Sequence, residues 1–94
     1  MRRNQLNMTV KQRVAQSIRM NMESFGFDEN DSTLLAFTLT RKDLASMAST
    51  TYESVIRSLK ELQDSGIIKI EGKKLRITDK DQLCEMTYCS KDLS

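Results

Sequence analysis

The sequence predicts an α+β fold in which a three-helix core carries a small antiparallel sheet and a β-hairpin wing. Two features lead to this prediction. Residues 39–77 have the pattern of a short helix, a tight polar turn, a longer helix and two short β-rich runs around a glycine. Residues 9–26 have apolar residues at helical spacing, which indicates one more helix before that segment. This order is typical of a winged helix-turn-helix, here followed by a short C-terminal helix.

The length of 94 residues suits one domain with a modest core. We therefore interpret residues 1–94 as a single winged-helix domain, with residues 1–8 as the remnant of a preceding helix or a linker and residues 87–94 as a flexible tail. No apolar run approaches the ~18 residues that a membrane span needs. No apolar block follows the charged N-terminus, as it would in a signal peptide. The sequence therefore predicts a cytoplasmic protein with no membrane partner.

The first helix is predicted to begin at Thr9, since Thr9 and Gln12 have the spacing of a capping box. Its apolar stripe consists of Val10, Val14, Ile18 and Met22. Gly26 is expected to end it, because glycine adopts the left-handed backbone conformation at low cost. An acidic loop over residues 28–32 follows. Alternating apolar residues over 35–39 then predict a short strand that pairs with the later hairpin.

Polar residues mark the ends of the two helices in the helix-turn-helix. Thr40 is the predicted N-cap of the first, which begins at Arg41. Either Thr50 or Thr51 caps the second, and Thr50 with Glu53 has capping-box spacing. The residues expected to be buried are Leu44, Ala45, Met47 and Ala48 in the first helix and Val55, Leu59 and Leu62 in the second.

The hairpin is predicted from two β-rich runs, residues 67–70 and 75–77, which flank a turn containing Gly72. The helix before it is expected to end at Gly66. Thr78 or Asp79 caps a last short helix that continues to about Met86.

Positive charge is concentrated in two segments. The formal net charge is +2, with residues 1–26 and 41–77 net positive and residues 27–40 and 78–94 net negative. Basic surfaces bounded by acidic ends favour a polyanionic partner, whereas a solvated surface of mixed sign is the alternative.

Few side chains are suited to catalysis. The sequence contains no histidine, no Gly-rich phosphate loop and no serine in a nucleophile elbow. Cys84 and Cys89 lie five residues apart, whereas a structural zinc site needs four ligands at paired short spacings. We expect both to be free thiols in a reducing cytoplasm, with a disulfide as the less favoured alternative. The sequence thus predicts no enzymatic activity, no cofactor and no metal site.

The outer side of the second motif helix is suited to recognising bases. A recognition helix enters the major groove with its N-terminal half. There an arginine can donate two hydrogen bonds to guanine, and a glutamate can accept one from the cytosine amino group. Glu53 and Arg57 are four residues apart and can enter one groove together, while an intrahelical salt bridge is the alternative. The predicted base-reading residues are Tyr52, Glu53, Ile56 and Arg57.

Phosphate contacts are predicted around that helix. Free amides and the helix dipole favour an anion at a helix start, hydroxyls can donate to phosphate, and the tip of the wing is basic. The predicted phosphate-binding residues are Thr40, Arg41, Thr50, Thr51, Ser54, Lys60, Gly72, Lys73 and Lys74. For each wing lysine taken singly, a solvated turn is the alternative.

Residues 39–77 resemble the C-terminal DNA-binding domain of the Crp/Fnr family of bacterial transcription regulators, and the preceding helix extends the resemblance back to about Thr9. The matching positions are Leu39-Thr40-Arg41, Leu44-Ala45, Thr51, Glu53-Ser54-Val55, Arg57, Leu59, Leu62, Gly66-Ile67-Ile68 and Gly72. The resemblance implies that Glu53 and Arg57 read base edges. It also implies phosphate contacts by Thr40, Arg41, Thr51, Ser54 and Gly72.

Two residues depart from the family pattern. Tyr52 stands where members often have a basic or small residue, and Ile56 stands where glycine or serine is more usual. An exposed isoleucine could touch a thymine methyl group. Family proteins also have a sensor domain and a long dimer helix, which do not fit in this chain. We therefore interpret it as the DNA-binding part of a longer regulator.

The expected partner is double-stranded DNA, bound sequence-specifically. The resemblance implies a homodimer formed through an N-terminal helix, and RNA polymerase is a candidate further partner. The alternative function is a winged-helix module for protein–protein contact, which the apolar Tyr52 and Ile56 favour. Salt discriminates between the two, because DNA binding weakens steeply as the salt concentration rises.

Overall fold

The computed structural model describes residues 9–87, which form four helices and a four-stranded antiparallel sheet. The elements are α1 (Val10–Phe25), β1 (Phe27–Asp28), β2 (Asp31–Leu35), α2 (Arg41–Met47), α3 (Tyr52–Asp64), β3 (Ile68–Glu71), β4 (Lys74–Ile77) and α4 (Lys80–Glu85). The strand order is β1-β2-β4-β3, so β2 joins the first hairpin to the wing. The α+β winged helix-turn-helix prediction is confirmed.

The predicted caps of α1 are confirmed. The backbone N–H of Gln12 donates to Thr9 Oγ1 over 3.1 Å, and the backbone N–H of Thr9 donates to Gln12 Oε1 over 2.8 Å. At the other end, Gly26 has a φ of 72° and its N–H donates to the Met22 carbonyl. The chain can therefore turn sharply into β1 without the steric cost that a side chain would add at this φ.

The strand predicted over residues 35–39 is in the wrong place, because the strand covers Asp31–Leu35. The acidic stretch was expected to be a loop, but it forms a hairpin in which Asp28 pairs with Asp31. The reason is local turn chemistry. The side chain of Asp28 accepts a hydrogen bond from the backbone N–H of Asn30 over 2.8 Å, which closes a tight turn. The expected pairing with the wing is confirmed, since Leu34 lies opposite Arg76.

Residues 36–40 are an irregular connection held by a buried amide side chain. Asn21 on α1 donates from Nδ2 to the Phe37 carbonyl, and its Oδ1 accepts from the Leu39 N–H, both over 2.7 Å. These bonds replace the ladder that a strand would have provided. Phe37 itself is half exposed and packs its ring on Phe25, with 4.9 Å between the ring centroids.

The two motif helices begin where the sequence predicts. Thr40 caps α2 by accepting from the Asp43 N–H over 3.0 Å. Of the two candidate caps for α3, Thr51 is the N-cap, and its Oγ1 accepts from the Ser54 N–H over 3.1 Å. The polar turn between the helices contains Ser49 with a φ of 55°.

Side chains from α1, α2, α3, the sheet and α4 form one core. Its buried apolar residues are Val14, Ala15, Ile18, Leu35, Leu44, Ala45, Ala48, Val55, Leu59, Leu62, Ile67, Ile68, Leu75, Ile77 and Leu83. Met47 was predicted to be buried, but it is 36% exposed because it lies on the outer side of α2. Arg13 reaches from α1 to the end of α2, where its Nε donates to the Ala48 carbonyl over 2.8 Å.

The C-terminal part corrects two expectations. Asp79 caps α4 as predicted, since its side chain accepts from the Gln82 N–H. Thr87 does not belong to a flexible tail, because it is buried and its hydroxyl donates to the Cys84 carbonyl over 2.9 Å. Cys84, in the last turn of α4, is disulfide-bonded, so the expectation of a free thiol is wrong there.

The remaining predictions for the termini, residues 1–8 and 88–94 with Cys89, lie outside the described residues. Within residues 9–87, no helix is long and apolar enough to cross a membrane.

Candidate nucleic-acid interface

Helix α3 has one buried side and one exposed side. Val55, Leu59 and Leu62 are buried in the core. On the opposite side Tyr52, Glu53, Ile56 and Arg57 are exposed in the first two turns, as the sequence predicted. Residues three and four apart are neighbours on a helix surface, so these four side chains form one continuous patch. Lys60 extends the patch by one more turn and is also exposed.

Glu53 and Arg57 remain available for an external partner. The ion pairs within residues 9–87 are Arg19–Glu23 and those of Arg76, so the alternative of an intrahelical Glu53–Arg57 salt bridge is not seen. Glu53 lies in the first turn of α3, where the helix dipole favours a negative charge.

The hydroxyls at the start of α3 differ in how much hydrogen-bonding capacity they have left. Thr51 Oγ1 accepts from the Ser54 N–H and donates to Ser54 Oγ over 3.0 Å, so its proton is used inside the cap. Ser54 Oγ only accepts in this pair and keeps a proton to donate outward. Thr50 is half-buried, and its N–H donates to the Ala45 carbonyl. Among these three predicted phosphate ligands, Ser54 is the best prepared to donate.

The wing ends in a two-residue turn. Glu71 pairs with Lys74, and Gly72 and Lys73 connect them, with Gly72 at a φ of 64°. A positive φ at the first turn residue suits a hairpin turn and favours glycine there. Lys73 and Lys74 are both exposed, so the tip carries two cations into solvent.

Arg41 connects the start of α2 to this turn. Its Nη2 lies 3.3 Å from the Gly72 carbonyl oxygen, and its Nη1 lies 3.4 Å from the Lys73 carbonyl oxygen. The sequence predicted a phosphate ligand at this position but not the contact with the wing. Nothing in the sequence indicates it, because the acceptors are backbone carbonyls.

A groove of about 540 Å³ runs between the wing, the start of α2 and the start of α3. Its lining residues are Thr38, Leu39, Thr40, Arg41, Lys42, Tyr52, Ile56, Gly72 and Lys73. Six predicted site residues therefore meet here. The other seven lie outside the groove lining: Thr50, Thr51, Glu53, Ser54, Arg57, Lys60 and Lys74. The lining contains three cations and no carboxylate, and its apolar part includes Tyr52 and Ile56. Lys42 was missed in the sequence, although its place beside Arg41 in a basic first turn is a signal for it.

An ionic network on the sheet surface holds the wing to the first hairpin. Arg76 on β4 donates two hydrogen bonds to Glu71, and its Nη1 also contacts Asp31 Oδ2 at 2.5 Å and Thr33 Oγ1 at 2.7 Å. The hydrogen bonds from Thr33, followed by that from Arg76, hold the pKa of Asp31 well below its usual range. Arg76 likewise lowers the pKa of Glu71. The two carboxylates in turn raise the pKa of Arg76.

The described residues contain no group of three or more His, Cys, Asp or Glu side chains that could hold a metal ion. The exposed side of α3, the hydroxyls at its start and the basic wing tip are therefore the features that a function has to explain. Together with the fold, they define a winged helix-turn-helix protein with a basic and partly apolar exposed surface.

Known proteins with this architecture include transcription regulators. The profile of the Crp-like helix-turn-helix domain matches residues 12–86, which is most of the chain. No curated protein sequence matches the chain. The chain belongs to the Crp-like helix-turn-helix domain family.

Solved structures agree with this assignment at the level of the fold. The chain is similar to a CRP/FNR-family transcriptional regulator from Thermus thermophilus, with a TM-score of 0.76 and 23% identity over 87% of this chain. It is similar to FixK2 from Bradyrhizobium japonicum, with a TM-score of 0.70 and 21% identity over 85% of this chain. It is also similar to the Thermus thermophilus catabolite activator protein, with a TM-score of 0.67 and 23% identity over 84%. The alignments cover 42%, 39% and 34% of those three chains, so this chain spans less than half of their length.

Proposed function

We propose that this chain binds double-stranded DNA sequence-specifically as the DNA-binding domain of a Crp/Fnr-like transcription regulator, with α3 in the major groove. The observation that carries the proposal is the exposed first half of α3. Tyr52, Glu53, Ile56 and Arg57 point away from the core, and within residues 9–87 no ion pair involves Glu53 or Arg57. A helix that presents such an N-terminal half can fill a major groove about 12 Å wide.

Base reading is assigned to that patch. The planar fork of Arg57 can donate two hydrogen bonds to the O6 and N7 atoms of guanine, and Glu53 can accept from the amino group of cytosine. Tyr52 and Ile56 offer apolar contact to a thymine methyl group. These four residues determine which half-site the protein prefers.

Phosphate contacts surround the patch and set the docking orientation. The proposed ligands lie at the starts of α2 and α3, further along α3 and on the wing. They are Thr40, Arg41, Thr50, Thr51, Ser54, Lys60, Gly72, Lys73 and Lys74. The groove lining supports this assignment for Thr40, Arg41, Gly72 and Lys73, because it brings them together and all of its charged side chains are cations. We add Lys42 to this set.

The similarity to CRP/FNR-family regulators supports a proposal for the biological unit. We propose that the chain works as part of a homodimeric bacterial regulator in the cytoplasm, where two copies read two half-sites, and that RNA polymerase is a further partner. We assign no residue a catalytic role.

The proposal is tested by selecting sites from a random duplex library, using the chain fused to a parallel coiled coil so that two copies bind together. A recurring half-site in inverted repeat is the expected result. Binding to that site should weaken steeply with salt, with a slope set by the number of phosphates contacted. If no duplex binds at about 50 mM salt, the proposal is wrong.

A second function, docking of another protein on the same surface, is favoured by the exposure of Tyr52 and Ile56, which are 55% and 42% exposed. Aromatic side chains on a partly apolar groove are common in protein interfaces. This function predicts a partner whose binding varies little with salt, and the same titration therefore separates the two.

A further inference from the structure

We propose that Arg41 is a positioning residue, which acts by holding the turn of the wing so that Lys73 and Lys74 meet the DNA phosphates. This inference rests on the proposed function and refines it, because it replaces the direct phosphate contact proposed there for Arg41 by a contact with the turn of the wing. The starting observation is that its two terminal nitrogens face two successive backbone carbonyls, those of Gly72 and Lys73.

The fork geometry of arginine explains why this residue suits the task. A guanidinium is planar and presents its N–H groups in fixed directions, so it can span two neighbouring acceptors at once. A lysine ammonium at the same place carries the same charge but cannot span both in a fixed orientation. The N–O distances of 3.3 and 3.4 Å are longer than those of strong hydrogen bonds. We therefore expect an effect on the mobility of the wing tip and little effect on global stability.

Other contacts of the wing stop short of its tip. The Leu75 N–H donates to Thr38 Oγ1 over 3.2 Å, and the Ile70 N–H donates to Gln63 Oε1 over 2.8 Å. Arg76 binds Glu71 at the end of β3. These bonds hold the strands of the hairpin. Within residues 9–87, the hydrogen bonds that reach the Gly72–Lys73 turn from outside the hairpin come from Arg41.

A wing tip that is held before binding lowers the entropic cost of binding DNA. Exposed loop tips with few tertiary contacts sample many conformations, and a side chain that must be ordered on binding lowers affinity. A tip already held by Arg41 presents Lys73 and Lys74 in one place before DNA arrives. If the tip is released, these two side chains must be ordered on binding, and the affinity for DNA should fall on the order of tenfold even when no charge is lost.

The first test uses the free 94-residue chain and needs no DNA. Amide hydrogen exchange of Gly72, Lys73 and Lys74 is compared among the wild type, Arg41→Lys, Arg41→Ala and Lys42→Ala. Lys42 is the matched control, since it lines the same groove and belongs to none of the wing contacts above. We expect exchange of the turn amides to rise several-fold in both Arg41 variants and to stay at the wild-type rate in Lys42→Ala. An unchanged turn in Arg41→Lys would overturn the proposal.

The second test measures affinity for the selected DNA site in two backgrounds. In the wild-type background, Arg41→Lys should bind on the order of tenfold more weakly. In the Lys73→Ala/Lys74→Ala background, the same substitution should have almost no effect, because the groups that Arg41 positions are gone. A pure phosphate ligand gives the opposite pattern: Arg41→Lys stays close to the wild type, and Arg41→Ala costs the same in both backgrounds. That result would also overturn the proposal.

The two failures can be told apart. If the wild-type chain binds no duplex at low salt, the proposed function is wrong, and the exchange measurement still decides whether Arg41 holds the wing. If duplex binding is strong and the exchange of the turn is insensitive to Arg41, the proposed function stands and the positioning role is wrong.

Discussion

Arg76 on β4 donates two hydrogen bonds to the carboxylate of Glu71 at the end of β3, with N–O distances of 2.8 and 3.0 Å. The same guanidinium reaches Asp31 on β2. One side chain therefore ties three neighbouring strands together on the sheet surface. It fixes the base of the wing relative to the first hairpin.

This network makes stability depend on pH in the acidic range. In the folded state, hydrogen bonds from Thr33 and Arg76 lower the pKa of Asp31. Hydrogen bonds from Arg76 lower the pKa of Glu71. A carboxylate with a depressed folded-state pKa favours folding above its unfolded pKa of about 4. That contribution disappears as the pH falls through the lower folded-state value. We expect the melting temperature to fall progressively below about pH 4.

The variant Arg76→Gln isolates the network. Its melting temperature should be lower than that of the wild type at neutral pH, and the difference should shrink as the pH falls below about 4 and the carboxylates become protonated. Arg57→Gln is the matched control, since it removes an exposed cation that has no carboxylate partner within residues 9–87. Thermal melts across this pH range measure the effect. A constant difference between Arg76→Gln and the wild type at all pH values would contradict the assignment.

Asn21→Ala should destabilise the protein by about 2–3 kcal/mol. Asn21 is only 2% exposed. Removal of its side-chain amide leaves the Phe37 carbonyl and the Leu39 N–H without their hydrogen-bond partner. Both groups lie just before α2, so the start of that helix should also loosen. Urea denaturation measures the free energy of unfolding. Asn30→Ala at the exposed turn of the first hairpin is the control, and its change should stay within about 0.5 kcal/mol.

Helix starts were predictable from the sequence because capping is local chemistry. Thr9, Thr40 and Thr51 each accept a hydrogen bond from an N–H three residues later, and the residue types and their spacing are visible in the chain. The outer patch of α3 followed from the position of its inner stripe. The caps therefore follow from residue type and spacing, and the exposed patch follows from the helical period.

Features that depend on tertiary contacts were not predictable. The alternation over residues 35–39 resembles a strand. However, Asn21, which is distant in the sequence, binds the backbone of Phe37 and Leu39 in place of a neighbouring strand. Met47 has the residue type of a core position, and its exposure depends on how α2 lies against α1 and α3. The contact of Arg41 with the wing depends on two backbone carbonyls, which have no signature in the residue types.

Ser49→Gly should stabilise the protein by about 0.5–1 kcal/mol. Ser49 has a φ of 55°, where a residue with a side chain is destabilised by about 1–2 kcal/mol and glycine is not. Glycine also has greater conformational freedom in the unfolded chain, which offsets part of this gain. The melting temperature should rise by about 4 °C. Ser49→Val is the opposing variant, because a β-branched residue tolerates this φ poorly. If the two variants melt at the same temperature, backbone strain at Ser49 does not limit stability.

Arg57→Ala and Lys73→Ala should weaken DNA binding in different ways. Arg57→Ala removes the base contact that we propose, so affinity for the selected site should fall by about 1–3 kcal/mol and one base pair should lose its preference. Lys73→Ala removes a proposed phosphate contact, so all sequences should bind more weakly by a similar factor and the salt slope should decrease by about 1. Binding curves for every single-base variant of the site at two salt concentrations separate these effects. If Arg57→Ala keeps the full preference, Arg57 does not read a base.

Ile56 should make binding sensitive to the methyl group of a thymine. Its side chain is 42% exposed beside Arg57 on the patch that we assign to the bases. Burying one methyl group contributes about 0.8 kcal/mol, which corresponds to a roughly fourfold change in affinity. Replacing thymine by deoxyuridine, one position at a time, removes only that methyl group and leaves every hydrogen-bonding group of the base pair in place. For the wild type, we expect the replacement at one position per half-site to lower the affinity for DNA about fourfold. For Ile56→Ala, the same replacement should leave the affinity unchanged, since the side chain that contacts the methyl group is gone. A loss of the same size in Ile56→Ala would assign the methyl contact to another side chain, with Tyr52 as the next to test.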